Sequence, residues 1–84
     1  MEQPLHDAKH KTIPELAEPE KIEAMIRRCA LDPRDLEILR RVHIQHQLQI
    51  QIAAEMNMSV ETVGRRYRKA LKVLHMIAQR YVGI

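Results

Sequence analysis

A cluster of basic residues lies near the end of the sequence, behind a single serine, Ser59. Within residues 59–72 the basic side chains are Arg65, Arg66, Arg68, Lys69 and Lys72. Lysine and arginine supply cations for phosphate groups, and the forked arginine side chain can also donate two hydrogen bonds to the edge of a base. The cluster is therefore typical of a nucleic-acid contact, with a solvated helix face as the alternative.

The positive charge of the chain is confined to this segment. The whole sequence has a net charge of +3, whereas residues 59–84 hold six Lys/Arg and one Asp/Glu, a net charge of +5. Residues 1–30 and residues 31–58 each have a net charge of −1. A local basic region of this kind is the electrostatic pattern expected of a protein that binds nucleic acid.

The basic residues fall on one side of a predicted helix that begins at Val60, with Ser59 as a suitable N-cap. The apolar face of this helix carries Val63, Tyr67, Ala70, Leu71, Leu74, Ala78 and Tyr81. The opposite face carries Glu61, Arg65, Arg68, Lys69 and Lys72, with Thr62 at its edge and Arg66 on its flank. We therefore expect one face to pack against the domain and the other to present cations.

The exposed face divides into two predicted roles. The residues at the start of the helix are short or forked enough to read base edges: Ser59, Glu61, Thr62, Arg65 and, from the flank, Arg66. The residues further along are predicted to neutralise phosphates: Arg68, Lys69 and Lys72. Gly64 costs about 1 kcal/mol relative to alanine inside a helix. Its position indicates a close approach, either of another helix or of a sugar–phosphate backbone.

The composition predicts an all-α fold, a small bundle of about four helices. Hydrophobic residues make up 45% of the chain but aromatic residues only 2%, and there is no Trp or Phe. The apolar stripes of three further helices are Ile22, Met25, Ile26 and Cys29, then Leu36, Leu39, Val42 and His43, then Ile52, Ala53 and Met56. Residues 1–17 show no apolar period and are expected to form a flexible arm, so the predicted domain spans residues 18–84.

The third and fourth helices have the residue order of a helix-turn-helix. Ala53 is small enough for two helices to cross closely, and Asn57 suits the left-handed turn between them. Val63 then supplies an apolar residue inside the second helix. In a helix-turn-helix that binds DNA the second helix enters the major groove, and here it is the helix with the basic face.

The segments LDPRDLEILRR and IAAEMNMSVETVGRRYRKALKVL resemble region 4 of bacterial sigma factors, especially the extracytoplasmic-function type. The matching residues are Leu31, Pro33 and Arg34 in the first helix of that module, and Ser59, Val60, Thr62, Val63, Arg66, Ala70 and Leu71 in its recognition helix. The resemblance covers residues 31–74. It implies a domain that places its last helix in the major groove of promoter DNA and that can also bind RNA polymerase.

Two features depart from the pattern of this family. Between the second and third helices the family usually has Gly-Leu-Ser, where this chain has His46, Gln47 and Leu48. The junction therefore lacks both the glycine that turns and the serine that caps. The chain also shows no counterpart of the region that melts promoters and binds core polymerase, so we do not expect it to act as a complete sigma factor.

Catalytic and metal-binding functions are not expected. His43 and His46 lack a carboxylate or cysteine at ligand spacing on the same helix, so we expect no metal and no cofactor. The sequence shows no phosphate-binding loop, paired carboxylates or Ser/His/Asp grouping, which argues against an enzyme.

Cys29 lies on an apolar stripe and is expected to be a core residue rather than a nucleophile. As the only cysteine it excludes an internal disulfide and fits a reducing compartment.

The sequence thus predicts a cytoplasmic regulator of transcription that binds duplex DNA sequence-specifically and has no membrane span. The alternative is a protein-interaction module that binds RNA polymerase or another regulator without reading DNA. Apolar residues continue past the sigma-like segment, which suggests a homodimer formed through residues 73–84. The alternative for this tail is that it folds back over the first helix and covers Ile22 and Ile26.

Overall fold

A computed structural model of the protein describes residues 18–82, with side chains described as far as Arg80. In this part of the chain there are four α-helices: α1 (Pro19–Arg27), α2 (Pro33–His43), α3 (Gln49–Met56) and α4 (Val60–Val82). The predicted all-α bundle of about four helices is confirmed. The predicted arm, residues 1–17, lies outside the described residues.

The first two helices begin where local chemistry favours a helix N-terminus. Pro19 occupies the first turn of α1, and Glu20 beside it lies near the positive end of the helix dipole. At the start of α2, the side chain of Asp32 accepts a hydrogen bond from the backbone N–H of Arg34 at 2.8 Å. Asp32 is therefore the N-cap of α2, as its position before Pro33 predicts.

The junction between α2 and α3 is built without glycine or serine. His46 itself adopts a left-handed conformation, with φ 57°. The side chain of Leu48 has no acceptor, but the Gln51 side chain accepts a hydrogen bond from the Leu48 N–H at 2.8 Å, which is the reciprocal half of a capping box. Arg41 on α2 also bonds Glu55 on α3. These contacts replace the two devices that the sigma-factor pattern uses at this junction.

The core consists of two clusters that meet at Tyr67. The larger cluster contains Ile22, Met25, Ile26, Cys29, Leu39, Ala70, Leu74 and Ala78. The smaller one contains Ile38, Ile52, Ala53 and Val63. The predicted stripe of α1 is confirmed, whereas the predicted stripe of α2 omits Ile38, which is fully buried. The omission has a structural cause, because α2 lies between α1 and the α3–α4 pair and buries two neighbouring faces.

Cys29 is a core residue, as predicted. Its side chain is 5% exposed, and its thiol donates a hydrogen bond to the carbonyl oxygen of Met25 at 3.5 Å. Burial raises the pKa of the Cys29 thiol above its usual value, because the charged thiolate is disfavoured away from water. A thiol with a raised pKa is a poor nucleophile near neutral pH.

The far half of α4 packs against α1. Leu74 and Ala78 belong to the same buried cluster as the α1 stripe, and Val73 and Ile77 pack onto it. Val73 and Ile77, two of the apolar residues on which the homodimer prediction rests, therefore pack onto the cluster that contains α1, and this matches the fold-back alternative; the side chains of Tyr81, Val82 and Ile84 lie outside the described residues. Met76 is the exception, with 56% of its surface exposed. The homodimer remains a prediction. None of the described helices has both the length and the apolar character needed to cross a membrane.

Candidate nucleic-acid interface

The turn between α3 and α4 has the geometry that the sequence predicts. Asn57 follows the last residue of α3 with φ 57° and ψ 47°, in the left-handed region. The backbone N–H groups of Asn57 and Met58 both donate to the carbonyl oxygen of Ala53. This left-handed cap ends α3 and reverses the chain, so that α4 begins three residues later at Val60.

Ser59 caps α4, as predicted. Its hydroxyl oxygen accepts a hydrogen bond from the backbone N–H of Thr62 at 3.1 Å, and its hydroxyl donates to the Thr62 hydroxyl oxygen at 2.8 Å. The two predicted base readers are therefore bonded to each other. Because the Thr62 oxygen accepts the Ser59 proton, the hydroxyl proton of Thr62 is left to donate to another acceptor.

The two faces of α4 separate as the helical periodicity predicts. The face that packs on the domain contains Val63, Ala70, Leu74 and Ala78, all buried, with Tyr67 and Leu71 half-buried. The opposite face contains Glu61, Arg65, Arg68, Lys69 and Lys72, all exposed. Thr62 and Arg66 lie between the two faces and are half-buried.

The cations on the exposed face of α4 have no protein partner within residues 18–80. Arg65, Arg68, Lys69 and Lys72 form no hydrogen bond or ion pair there. The arginines of α2 differ, because each of them is bonded to a carboxylate: Arg34 to Asp32, Arg40 to Glu23, and Arg41 to Glu37 and Glu55. The three arginines of α2 are thus neutralised by carboxylates, while these four cations of α4 are not.

Arg66 departs from the predicted set of base readers. Its guanidinium donates a hydrogen bond to the Asp35 carboxylate on α2 at 2.6 Å, across 31 residues of sequence. The two side chains are 28% and 17% exposed. This hydrogen bond is the main reason why the pKa of Arg66 is raised, and it stabilises the cation in place. Arg66 is therefore engaged within the domain rather than presented with Arg65.

An open cavity of about 360 Å³ lies beside the Asp35–Arg66 pair. Its lining residues are Asp32, Asp35, Arg65, Arg66 and Lys69. The pKa of Asp32 is lowered, first by the backbone N–H of Arg34, so its carboxylate stays ionised at neutral pH. The cavity thus places the carboxylates at the start of α2 next to the cationic face of α4.

Gly64 is buried at the contact between α4 and the start of α3. A methyl group at this position would lie 3.2 Å from the side-chain oxygen Oε1 of Gln49 and 3.4 Å from Nη1 of Arg68. The sequence leaves two explanations for Gly64 open. The structure supports the first, the close approach of another helix, because the Gln49 side chain at the start of α3 lies next to Gly64.

His43 contributes to packing in the helix-turn-helix. Its Nε2 lies 3.1 Å from the hydroxyl oxygen of Tyr67, and the two ring centroids are 5.7 Å apart. Tyr67 joins the two core clusters, so this contact links α2 to the middle of α4. Across the described residues, no group of three or more His, Cys, Asp or Glu side chains is arranged to hold a metal ion.

Comparison with known families agrees with the geometry. The family described as sigma-70, region 4 matches residues 30–75, just over half of the chain and within one residue at each end of the segment that resembles it. Comparisons with curated proteins and with solved structures give no match. The matched residues include all of α2 and α3, the turn at Asn57, and the cationic part of α4. The chain belongs to the sigma-70 region 4 family, whose members are DNA-binding helix-turn-helix domains.

Proposed function

We propose that this protein is a sequence-specific regulator of transcription that binds duplex DNA with α4 in the major groove. The observation that carries this proposal is the set of four cations on the exposed face of α4 without a partner among the described side chains. A structural role would bond these residues to carboxylates, as it does for the arginines of α2, but none of the four forms an ion pair with a carboxylate among the described residues. Phosphate oxygens are the ligand that a row of exposed cations on a recognition helix fits best.

The position of each residue along α4 supports a division of roles. A helix rises about 1.5 Å per residue, so Arg65 lies roughly 7 Å from the start of α4 and Lys72 about 10 Å beyond it. In a helix-turn-helix the N-terminal residues of the recognition helix approach base edges. We assign base reading to Ser59, Glu61, Thr62 and Arg65, and phosphate binding to Arg68, Lys69 and Lys72. Arg66 is left out of the base-reading set because it is bonded to Asp35.

Selection of bound sites from random duplex DNA tests the proposal. A selected duplex and its scrambled counterpart would then be titrated by fluorescence anisotropy at several salt concentrations. With three phosphate contacts, the logarithm of the binding constant is expected to fall with the logarithm of salt concentration at a slope of about −3.

A matched pair of lysine variants checks where the charge acts. Lys72→Gln is expected to reduce the slope by about 1, because it removes one phosphate contact. Lys21→Gln is the control, since Lys21 is also exposed but lies on α1. If selection enriches no sequence, or if both variants change the slope equally, the proposal is wrong.

A protein-interaction module is the second candidate function. Leu48 and Ile50, at the start of α3, are 66% and 63% exposed, and exposed apolar residues of this size are common in protein contacts. The sigma-factor family suggests RNA polymerase as the partner. Two results together would favour this function over DNA reading. The protein would bind purified polymerase, with weaker binding by Ile50→Gln, and site selection would enrich no preferred duplex.

A homodimer is a further element of the proposal. A second copy would place a second recognition helix about one DNA turn away, which raises both affinity and specificity. Within the described side chains, the residue that supports such a contact is Met76, which is exposed on the far half of α4. The partner surface would be the same region of a second copy.

A further inference from the structure

One ion pair fixes the flank of the recognition helix. Arg66 of α4 and Asp35 of α2 are joined by a hydrogen bond of 2.6 Å, and both side chains are half-buried. Asp35 also lies in the first turn of α2, where Asp32 caps the helix and holds its start in place. The carboxylate is therefore attached to a well-defined helix end rather than to a loop.

The pair lies directly beside the residues assigned to DNA. Arg65 precedes Arg66 in the chain, and successive residues of a helix point about 100° apart. When Arg66 is held against α2, Arg65 is directed to the exposed face of α4, and both side chains line the cavity that Asp35 shares. A shift in the rotation of α4 at Arg66 would therefore move Arg65 by the same angle.

We propose that Asp35 is a positioning residue for DNA recognition: it holds Arg66 and so sets the direction in which Arg65 meets the base edges. Asp35 itself does not touch DNA. A charge-assisted hydrogen bond between two side chains of low exposure is strong and has a narrow geometry, and both properties are required of a positioning contact. The inference rests on the proposed function of α4.

Two other roles for the pair predict different behaviour. If the pair only stabilises the fold, its loss would weaken binding to every duplex alike, through a smaller folded fraction. If Arg66 reads a base itself, removal of Arg66 would abolish the preference for the selected site, while removal of Asp35 would preserve or increase it. In the role proposed here, removal of either partner lowers the preference for the selected site by a similar factor.

The charge of Asp35 provides an additional readout. The carboxylate lies in a cavity with Arg65, Arg66 and Lys69, where it reduces the local positive potential. Loss of this carboxylate is expected to leave binding to scrambled DNA unchanged or to make it tighter, because non-specific binding depends on charge alone. Binding to the selected site is expected to weaken. Destabilisation of the fold cannot move the two affinities in opposite directions.

The test is a double-mutant cycle with Asp35→Ala, Arg66→Ala and the double variant, measured by anisotropy on the selected and the scrambled duplex. Each single variant is expected to lower the preference for the selected duplex about tenfold, which is within the discrimination that one arginine–guanine contact provides. The double variant is expected to lose no more than either single variant, since the two residues act as one unit.

Glu23→Ala is the matched control. Glu23 pairs with Arg40 at 3.0 Å and similar exposure, but this pair joins α1 to α2 and involves no residue of α4. Circular dichroism at the assay temperature verifies that every variant is folded; if Asp35→Ala or Arg66→Ala is not, Asp35→Asn or Arg66→Gln takes its place, since each removes the charge and keeps most of the side-chain volume. Glu23→Ala is expected to keep the preference of the wild type, and Asp35→Glu, which retains a carboxylate for Arg66, is expected to keep most of it.

Several results would overturn the inference. It is wrong if Asp35→Ala keeps the wild-type preference, if only Arg66→Ala loses it, or if Asp35→Ala and Glu23→Ala weaken both duplexes equally. A wild-type protein that binds selected and scrambled DNA equally would instead refute the proposed function, before any variant is compared. The failure of the inference and the failure of the proposed function are thus distinguished by the wild-type titration.

Discussion

Replacement of Gly64 by alanine separates the two explanations for a glycine inside α4. If glycine is present only because α3 passes close by, the variant should fold at least as well as the wild type and bind DNA normally. If a sugar–phosphate backbone must approach this position, the variant should fold well but bind DNA poorly. Stability and DNA binding therefore have to be measured on the same protein.

The expected stability change of Gly64→Ala combines a gain in helix propensity with two new steric contacts. Alanine is favoured over glycine in a helix interior by about 0.5–1 kcal/mol. Against this gain stands the new methyl group, 3.2 Å from the side-chain oxygen of Gln49 and 3.4 Å from the Arg68 guanidinium. Both contacts are to the ends of flexible side chains. No hydrogen bond from the described residues holds the Gln49 side-chain amide, so a small rotation relieves the contact at little cost.

The net expectation for Gly64→Ala is therefore a gain of about 0.5–1 kcal/mol in the free energy of unfolding. For a domain of this size that corresponds to a rise of roughly 2–8 °C in Tm. Thermal unfolding followed by circular dichroism at 222 nm would measure the shift. The companion variant Gln49→Ala removes the neighbour, so the gain from Gly64→Ala should be at least as large in that background.

A decrease in Tm would refute the reasoning, because it would mean that Gln49 or Arg68 cannot move. A decrease that disappears in the Gln49→Ala background would assign the fault to Gln49. A rise in Tm accompanied by a tenfold or greater loss of DNA affinity would show that the backbone explanation holds, although the structure shows only the helix contact.

Three further predictions follow from the contacts of the domain. Arg65→Ala is expected to weaken binding to a selected site by about 1–3 kcal/mol and to leave binding to scrambled DNA nearly unchanged. Lys72→Ala should weaken binding to both duplexes alike. If anisotropy titrations show that both variants lose the same affinity on both duplexes, the assigned roles are wrong. The pKa of Glu23 is lowered, chiefly because the Arg40 side chain donates a hydrogen bond to its carboxylate. The Glu23 carboxylate therefore stabilises the fold fully above its unfolded pKa of about 4.3, and this stabilisation is lost as pH falls through its pKa in the folded protein. Glu23→Gln should therefore unfold with a weaker dependence on pH below about 4.5, as followed by circular dichroism. If the homodimer exists, Met76→Glu should convert it to the 9.9 kDa monomer in sedimentation, and a wild type that already sediments as a monomer would exclude the dimer.

The elements of the fold could be predicted from sequence because each has a local cause. Pro19 and Asp32 start helices, Asn57 makes a left-handed turn, and Ser59 caps α4. The stripe of α4 follows from a period of 3.6 residues over more than six turns, which leaves little ambiguity about the buried face. Periodicity fails for Ile38, because a helix that contacts neighbours on two sides buries residues that a single stripe does not contain.

The junction between α2 and α3 could not be predicted from local rules. His46 occupies the left-handed conformation that glycine usually provides, at the position where the sigma-factor pattern has a glycine, and a histidine alone is only a weak signal for this conformation. The junction is stabilised by a residue outside it, because Arg41 on α2 donates hydrogen bonds to the side chains of Gln47 in the junction and of Glu55 on α3. Contacts between residues 6 and 14 positions apart, made by long side chains, depend on a geometry that only the folded chain defines.

A contact between residues far apart in sequence also changes which side chains of α4 are available to DNA. From sequence alone, Arg65 on the exposed face and Arg66 on its flank are both candidates for reading DNA, because both are arginines in the first two turns of α4. The distinction depends on Asp35, 31 residues earlier, whose carboxylate binds Arg66 and leaves Arg65 without a described partner. A count of basic residues therefore overestimates the number of cations that DNA can use. The four unpaired cations Arg65, Arg68, Lys69 and Lys72 limit the number of phosphate contacts that this segment of α4 can make, and each one that reads a base is removed from the salt dependence of binding.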